Sequence, residues 1–238
     1  MSDAVIWHDL ECGGYDVDLP LWRELAAAAQ GPILDIGAGT GRVALDLGRR
    51  GHEVVALDVD AELLGALRGR AAGAPVEAVS GDARDFELGR RFALVLVPMQ
   101  TVQLMAGPAE RASLLARARA HAAPGGRLAI AIADAFDGYD SDHDEPPVPD
   151  IREIDGVVYA SRPVRVVDEG PGVTIERLRE VVDRDGSRSE SADVVRLARL
   201  SPAELEREGA AAGFEILPRR IVPATDEFVG STVVILGA

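Results

Sequence analysis

The stretch ILDIGAGTGR, Ile33–Arg42, decides the fold of this chain. A short apolar run that contains Asp35 leads directly into three glycines at alternate positions, Gly37, Gly39 and Gly41. Glycine has no Cβ and adopts backbone conformations that strain other residues, so a ligand can lie against the bare backbone of such a turn. The pattern predicts a strand, a tight ligand-binding turn and a helix in succession.

The residue after the third glycine, Arg42, bears on the kind of ligand. The dinucleotide-binding fingerprint G-x-G-x-x-G would place its last glycine at this position. A large cation there would crowd the close packing of helix on strand that the fingerprint needs. A nicotinamide-dependent oxidoreductase is therefore disfavoured, but it stays an alternative.

Segments that predict buried strands alternate with segments that predict helices around this turn. The predicted helices are Pro20–Gln30, Gly41–Arg50, Asp60–Ala71 and Pro108–Ala122, and the predicted strands are Ile33–Ile36, Glu53–Leu57, Pro75–Val79, Phe92–Val97 and Arg127–Ala133. Strands that are apolar on nearly every residue and separated by helices indicate a parallel sheet covered on both faces. We therefore predict an α/β fold with a doubly wound, Rossmann-like sheet.

The pattern changes after Asp134, where an acidic loop ending in prolines leads into β-rich segments. These segments predict a small antiparallel sheet, with strands Ile151–Ala160, Val164–Val167, Val173–Val182 and Ala192–Leu200 and a hairpin turn over Asp183–Ser187. Ser201, Pro202 and Glu204 then predict a capped helix to Ala212, and two last strands cover Phe214–Ile221 and Glu227–Leu236. The small sheet is thus predicted as an insertion into the parallel fold.

Composition narrows the range of partners. The chain has 238 residues, a formal net charge of -15 and no lysine, so its surface should repel nucleic acid and anionic membranes. The absence of lysine also excludes a P-loop and Schiff-base chemistry. The first residues lack the features of a signal peptide and no apolar run is long enough to span a membrane, so we predict a cytoplasmic protein that binds a small molecule.

Two further acidic residues stand at predicted strand ends. Asp58 ends the second strand, where a carboxylate can accept hydrogen bonds from both hydroxyls of a ribose. Asp82 follows the third strand beside the small Ala83, where an adenine could lie. Together with the glycine turn, and in this order, these residues resemble the class I S-adenosylmethionine-dependent methyltransferases. The resemblance is strongest over residues 33–134.

The resemblance implies S-adenosylmethionine as the cofactor and a seven-stranded sheet whose last strand is antiparallel. It implies that the glycine turn approaches the methionine part, that Asp58 holds the ribose and that Asp82 and Ala83 contact the adenine. The full set of predicted cofactor-binding residues is Tyr15, Asp35, Gly37, Ala38, Gly39, Gly41, Asp58, Val59, Asp82, Ala83 and Pro98. Tyr15 is included because it lies in the N-terminal segment that should cover the site.

The inserted sheet and the N-terminal segment resemble the lid of small-molecule methyltransferases, such as the sugar-amine and glycine N-methyltransferases. This gives four predicted regions: an N-terminal helical cover 1–32, a cofactor-binding core 33–150, a β lid 151–200 and the C-terminal part of the core 201–238. The acceptor is predicted to be an N or O atom of a small molecule. A homodimer stays open.

Four residues are candidates to contact the acceptor. Gln100 and Gln103 lie on the loop that should face the transferable methyl group, and His8 and His143 lie in the two segments that should roof the pocket. No residue stands out as a general base, which keeps a non-catalytic sensor of S-adenosylmethionine or a metabolite as an alternative. The acidic loop Asp140–Glu145 lacks the glycine of a calcium loop, so no metal is predicted.

Overall fold

The computed structural model describes residues 2–133, the backbone of 139–140, and residues 148–225 and 228–238. They form two compact units. The core unit comprises Tyr15–Asp134 and Leu200–Ala238, and the second unit comprises Met1–Gly14 and Ala135–Arg199. This division differs from the predicted boundaries, because residues 1–14 group with the inserted sheet whereas residues 15–32 group with the core.

The described residues form six α-helices and twelve strands. The helices are α1 Asp3–Cys12, α2 Leu19–Ala28, α3 Arg42–Arg49, α4 Ala61–Ala71, α5 Pro108–His121 and α6 Pro202–Ala211, and a 3₁₀ helix covers Thr101–Leu104. The strands are β1 Ile33–Ile36, β2 Val54–Asp58, β3 Val76–Ser80, β4 Phe92–Val97, β5 Ala122–Ile132, β6 Tyr139–Asp140, β7 Asp150–Ile154, β8 Val157–Asp168, β9 Gly172–Val182, β10 Arg188–Ala198, β11 Glu215–Val222 and β12 Ser231–Gly237. Within the described ranges, none of these helices has the length and apolar composition needed to cross a bilayer.

The core unit contains a seven-stranded sheet in the order β3-β2-β1-β4-β5-β12-β11. Strands β1 to β5 pair in parallel, and β12 runs antiparallel to both of its neighbours. This confirms the predicted Rossmann-like fold with an antiparallel last strand. The carboxyl ends of β1, β2, β3 and β4 consequently lie side by side at one edge of the sheet.

Both faces of this sheet are covered, as the apolar strands require. Successive side chains of a strand point to opposite faces, so Ile33 joins one buried cluster with Val54 and Leu94, whereas Leu34 joins the other. The predicted start of α6 is also confirmed, because the Ser201 hydroxyl oxygen accepts a hydrogen bond from the Glu204 amide at 3.2 Å.

The second unit contains an antiparallel sheet in the order β10-β9-β8-β6, with β7 also paired to β8. It lies between β5 and α6 in the chain, which confirms the predicted insertion. The predicted strand Ile151–Ala160 is wrong in one respect, because Asp155 and Gly156 both have positive φ and turn the chain between β7 and β8. Helix α1 packs on this sheet, with Trp7 edge-on to Tyr159 at 5.5 Å between ring centroids.

Candidate functional site

The glycine turn between β1 and α3 has the geometry that its sequence predicts. Gly37, Gly39 and Gly41 all have positive φ, at 74°, 54° and 95°. A Cβ on Gly37 would lie 2.4 Å from Cγ2 of Thr101, in the loop that follows β4. Only glycine therefore fits at Gly37, and the two loops that follow the neighbouring strands β1 and β4 touch each other there.

Asp35 lies beneath this turn, in the middle of β1. It is 1% exposed, and neither carboxyl oxygen has a hydrogen-bond partner within the described residues. Burial raises the pKa of Asp35 to about 7, and the charges of Asp58 and Asp18 add to the rise. The Arg42 charge and the nearby Ala44 amide oppose it, but neither makes a hydrogen bond of ordinary geometry with Asp35. A buried carboxyl without a partner is costly unless a ligand supplies one.

Asp58, at the end of β2, contacts the glycine turn. One carboxyl oxygen accepts from the Gly39 amide at 2.7 Å and the other from the Asp60 amide at 2.9 Å. A carboxylate has about four acceptor positions, so capacity for about two more donors, such as a pair of hydroxyls, is left. The next residue, Val59, is 74% exposed and offers an apolar surface beside this carboxylate.

Asp82 follows β3 at the same edge. The two ends are adjacent because β2 pairs with β3 and the Gly81 amide donates to the Asp58 carbonyl at 2.9 Å. Arg84 donates hydrogen bonds to both oxygens of the Asp82 carboxylate, and these bonds lower the pKa of Asp82 to about 2. Ala83 packs partly against the core beside it.

The loop after β4 contains both predicted glutamines, and the structure separates their roles. Gln103 is 1% exposed and uses both ends of its amide on Ala133, with Nε2 donating to the carbonyl and Oε1 accepting from the amide, each at 2.9 Å. Gln103 thus fastens the loop to the end of β5. Gln100 is partly exposed and makes no side-chain hydrogen bond within the part of the chain that the structure describes.

The backbone of this loop is strained immediately before Gln100. Met99 has φ of 54°, a left-handed conformation that non-glycine residues rarely adopt. The carbonyl of Pro98 accepts from the Thr101 hydroxyl at 2.9 Å, which helps to hold the turn. Strained residues of this kind are concentrated at functional sites, so the loop fits the predicted position of acceptor chemistry.

Arg42, whose size disfavours a dinucleotide at the glycine turn, also makes several hydrogen bonds in the folded protein. Its guanidinium makes two hydrogen bonds to the buried Asp18, at 2.5 and 2.8 Å, and one to the Tyr15 carbonyl at 2.6 Å. Asp18 also accepts from the Trp22 indole at 2.7 Å. This pairing fixes the segment 15–18 to the start of α3, and no local sequence signal predicted it.

Three predicted site residues come from other segments of the chain: Tyr15, His8 and His143. The Tyr15 hydroxyl is paired with Ser231 at 3.1 Å, and the ring packs edge-on to Phe228. His8 lies on α1 in the second unit. His143 and the side chains of the acidic loop Asp140–Glu145 fall outside the described residues.

Comparison with known families is consistent with this site. Residues 33–126 match a family model described as a methyltransferase domain. This range begins with β1 and includes the glycine turn, Asp58, Asp82 and the loop after β4. Residues 33–126 are therefore similar to a methyltransferase domain, in agreement with the resemblance that the sequence shows over residues 33–134.

Three curated relatives match parts of the chain. A cypemycin N-terminal methyltransferase from a Streptomyces species is 29% identical over 56% of this chain and 59% of its own length. The N,N-dimethyltransferase of dTDP-3-amino-3,6-dideoxy-alpha-D-glucopyranose from Streptomyces fradiae is 35% identical over 41% of this chain and 38% of its own length. Ribosomal RNA small subunit methyltransferase C from Chromohalobacter salexigens is 39% identical over 44% and 32%. The chain thus spans between about one third and three fifths of the length of the curated relatives that it matches.

A solved structure matches nearly the whole chain. CalS10, an amino pentose methyltransferase from Micromonospora echinaspora with S-adenosylmethionine bound, has a TM-score of 0.71 and 24% identity over 99% of this chain and 98% of its own. This similarity shows that the two proteins share a fold.

Proposed function

We propose that this protein is an S-adenosylmethionine-dependent methyltransferase that methylates an amine nitrogen of a small molecule. The carboxyl of Asp35 carries the proposal, because it is buried beneath the glycine turn and no residue that the structure describes makes a hydrogen bond to it. A group of this kind calls for a cationic ligand, and S-adenosylmethionine has an ammonium group and a sulfonium.

The residues at this edge fit the cofactor. Asp35 would hold the ammonium, and the backbone of the glycine turn would lie along the methionine chain. Asp58 has acceptor capacity for the two ribose hydroxyls, and the exposed Val59 offers an apolar surface to the base. Asp82 and Ala83 would contact the adenine.

Electrostatics at the start of α3 argue against a dinucleotide. A pyrophosphate would bind at this helix N-terminus. The carboxyl groups of Asp18 and Asp58 lie near enough to Asp35 to affect its titration, and the nearby cation, Arg42, is already paired with Asp18. A doubly charged anion would meet these carboxylates, whereas a cationic sulfonium nucleoside would be attracted.

Methyl transfer requires the protein mainly to position the cofactor and the acceptor and to shield them from water. When bound, the cofactor supplies a methyl group on a positively charged sulfur. A neutral amine provides its own lone pair, so a strong general base is not needed for attack. Gln100, whose amide is not hydrogen-bonded within the described residues, can accept from the N–H of the acceptor and orient that lone pair. Gln103 keeps the loop in place through Ala133.

Two features support a small amine as the acceptor. The cypemycin and dideoxy-glucopyranose relatives are named as methyltransferases of an N-terminus and of an amino sugar. The net charge of -15 disfavours a ribosomal RNA acceptor, and the ribosomal RNA relative is matched over only 32% of its length. His8 and His143 stay predictions as acceptor contacts, tested by glutamine substitution.

Calorimetric titration with S-adenosylhomocysteine tests the cofactor assignment. We expect micromolar or tighter binding, and we expect Asp58→Ala to weaken it by about 1–3 kcal/mol, the effect of losing a charged hydrogen-bond acceptor. Asp46→Ala is the matched control, because Asp46 is a carboxylate of the same unit that pairs with Arg23 and Arg50. Absence of binding by the unaltered protein would overturn the assignment.

Turnover separates an enzyme from a sensor. With S-adenosylmethionine and a panel of amino sugars and peptide amines, we expect methylated product detectable by mass spectrometry. Cofactor binding without product from any amine, phenol or carboxylate would instead favour the sensor. A homodimer and a cytoplasmic location also stay predictions, which sedimentation and cell fractionation test.

A further inference from the structure

The loop after β3 carries a charge network beyond the contacts that cofactor binding needs. One oxygen of Asp82 accepts from the Arg84 amide at 2.8 Å and from Nε at 2.9 Å. The other oxygen accepts from Nε at 3.1 Å and from Nη2 at 2.6 Å. Both side chains are more than one third exposed, so the pair contributes little to stability. Its main effect is to fix the plane of the Asp82 carboxylate.

Glu110, in the first turn of α5, holds the same guanidinium from the other side. Its Oε1 accepts from Nη1 of Arg84 at 2.7 Å, and its Oε2 accepts from the Ala106 amide at 2.9 Å. Glu110 therefore connects the loop after β3 with the segment between the 3₁₀ helix and α5. Arg84 is held at both ends, which limits its freedom to leave Asp82.

Asp82 can form few further hydrogen bonds, and it can form them only as an acceptor. Three N–H groups of Arg84, the amide, Nε and Nη2, donate to a carboxylate that has about four acceptor positions, and the single Nε–H is shared between both oxygens. Because Arg84 lowers the pKa of Asp82 to about 2, the carboxylate carries no proton at neutral pH. The group can accept a hydrogen bond from one more N–H, but it cannot donate one to a carbonyl oxygen.

We propose that Arg84, held by Glu110, is a positioning residue that presents Asp82 as an acceptor, so that the site selects a 6-aminopurine over a 6-oxopurine nucleoside. The inference rests on the proposed function, because it takes the base of S-adenosylmethionine as the group that meets Asp82. A 6-amino group donates to the carboxylate, whereas a 6-oxo group places an acceptor against an acceptor.

Calorimetry with two ligands tests this selectivity. S-adenosylhomocysteine is compared with S-inosylhomocysteine, which differs in carrying a 6-oxopurine. We expect the unaltered protein to prefer the adenosyl compound at least about tenfold, from one gained hydrogen bond and one repulsion. We expect Arg84→Gln to reduce this preference about tenfold and Glu110→Gln to reduce it by a smaller factor. Asp82→Asn should bring the ratio close to one, because an amide can also donate.

Arg90→Gln is the matched control, since Arg90 is an arginine of the same unit that pairs with two carboxylates, Glu53 and Glu77, and not with Asp82. Its ratio should stay that of the unaltered protein. The role of Arg84 would be overturned if the ratio of the affinities for the two ligands is unchanged in both Arg84→Gln and Glu110→Gln. It would also be overturned if the affinity falls equally for both ligands. In either case the proposed function stands. If the unaltered protein binds neither ligand, the proposed function itself is overturned.

Discussion

Asp35 in the core unit and Glu11 in the second unit are both carboxyl groups largely withdrawn from water, but their surroundings differ. Burial raises the pKa of Asp35 to about 7, and no described residue donates a hydrogen bond to it. Burial also raises the pKa of Glu11, but hydrogen bonds from Arg179 and Ser161 and the charge of Arg177 outweigh it, so that pKa is lowered overall.

The contacts of Glu11 explain this difference. Arg179 donates to its two oxygens at 2.8 and 2.7 Å, and Ser161 donates at 2.7 Å. These bonds join α1 to β8 and β9, so the carboxylate serves the fold. Asp35 makes no such hydrogen bonds within the described residues. It lies beneath the glycine turn, where the backbone is not covered by side chains. The comparison teaches that a buried charge without a protein partner is the better guide to a ligand.

Replacing Asp35 should give the largest effect and separate stability from binding. Because the folded pKa of Asp35 is raised, its contribution to stability is most favourable below about pH 4 and is lost as the pH rises towards 7. Asp35→Asn should therefore stabilise the free protein at pH 8, by at most roughly 4 kcal/mol at about 1.4 kcal/mol per pKa unit. It should also weaken S-adenosylhomocysteine about 10–100-fold. Urea unfolding and calorimetry measure the two effects.

The matched control for Asp35 is Asp46→Asn, in which a paired carboxylate of the same unit is removed. It should lower stability slightly and leave binding unchanged. A loss of stability in Asp35→Asn at pH 8 would contradict the view that the unpartnered carboxyl is costly to the free protein.

Glu11→Gln tests the other half of the comparison and should act in the opposite direction. The substitution leaves Arg177 and Arg179 without their shared carboxylate. We therefore expect the free energy of unfolding to fall by about 1–3 kcal/mol. Hydrogen exchange of peptides from β7 to β10 should locate the loss in the second unit. Glu190→Gln is the control, because Glu190 is exposed and faces Glu180 across the β9–β10 pair. Equal stability of Glu11→Gln and the control would break the comparison.

The sequence predicted the features whose cause is local. Alternating apolar strands and helices, the glycine turn and the Ser201 cap each depend on neighbouring residues, and all three are found. The turn at Asp155–Gly156 was also visible, because Asp-Gly is a strong hairpin signal. It was missed because the β-rich composition around it was interpreted as one strand.

The contacts of the site that the sequence does not predict are made between residues far apart in the chain. Gln103 looked free to contact an acceptor, but its partner Ala133 lies 30 residues away. Asp18 is 24 residues from Arg42, and Glu110 is 26 residues from Arg84. Spacing along one sequence says nothing about such pairs, since the sheet order and the helix packing bring them together.

The pH dependence of cofactor binding should give the smallest effect and sharpens the comparison further. Below about pH 7 the free protein holds a proton on Asp35, which must leave before the carboxylate can pair with an ammonium. The affinity for S-adenosylhomocysteine should therefore fall by up to about tenfold for each unit below pH 7. Titrations in two buffers of different ionisation enthalpy should detect the released proton. In Asp35→Asn the pH dependence of the affinity and the release of a proton on binding should both disappear. An equal pH dependence in the two proteins would assign the titration to another group.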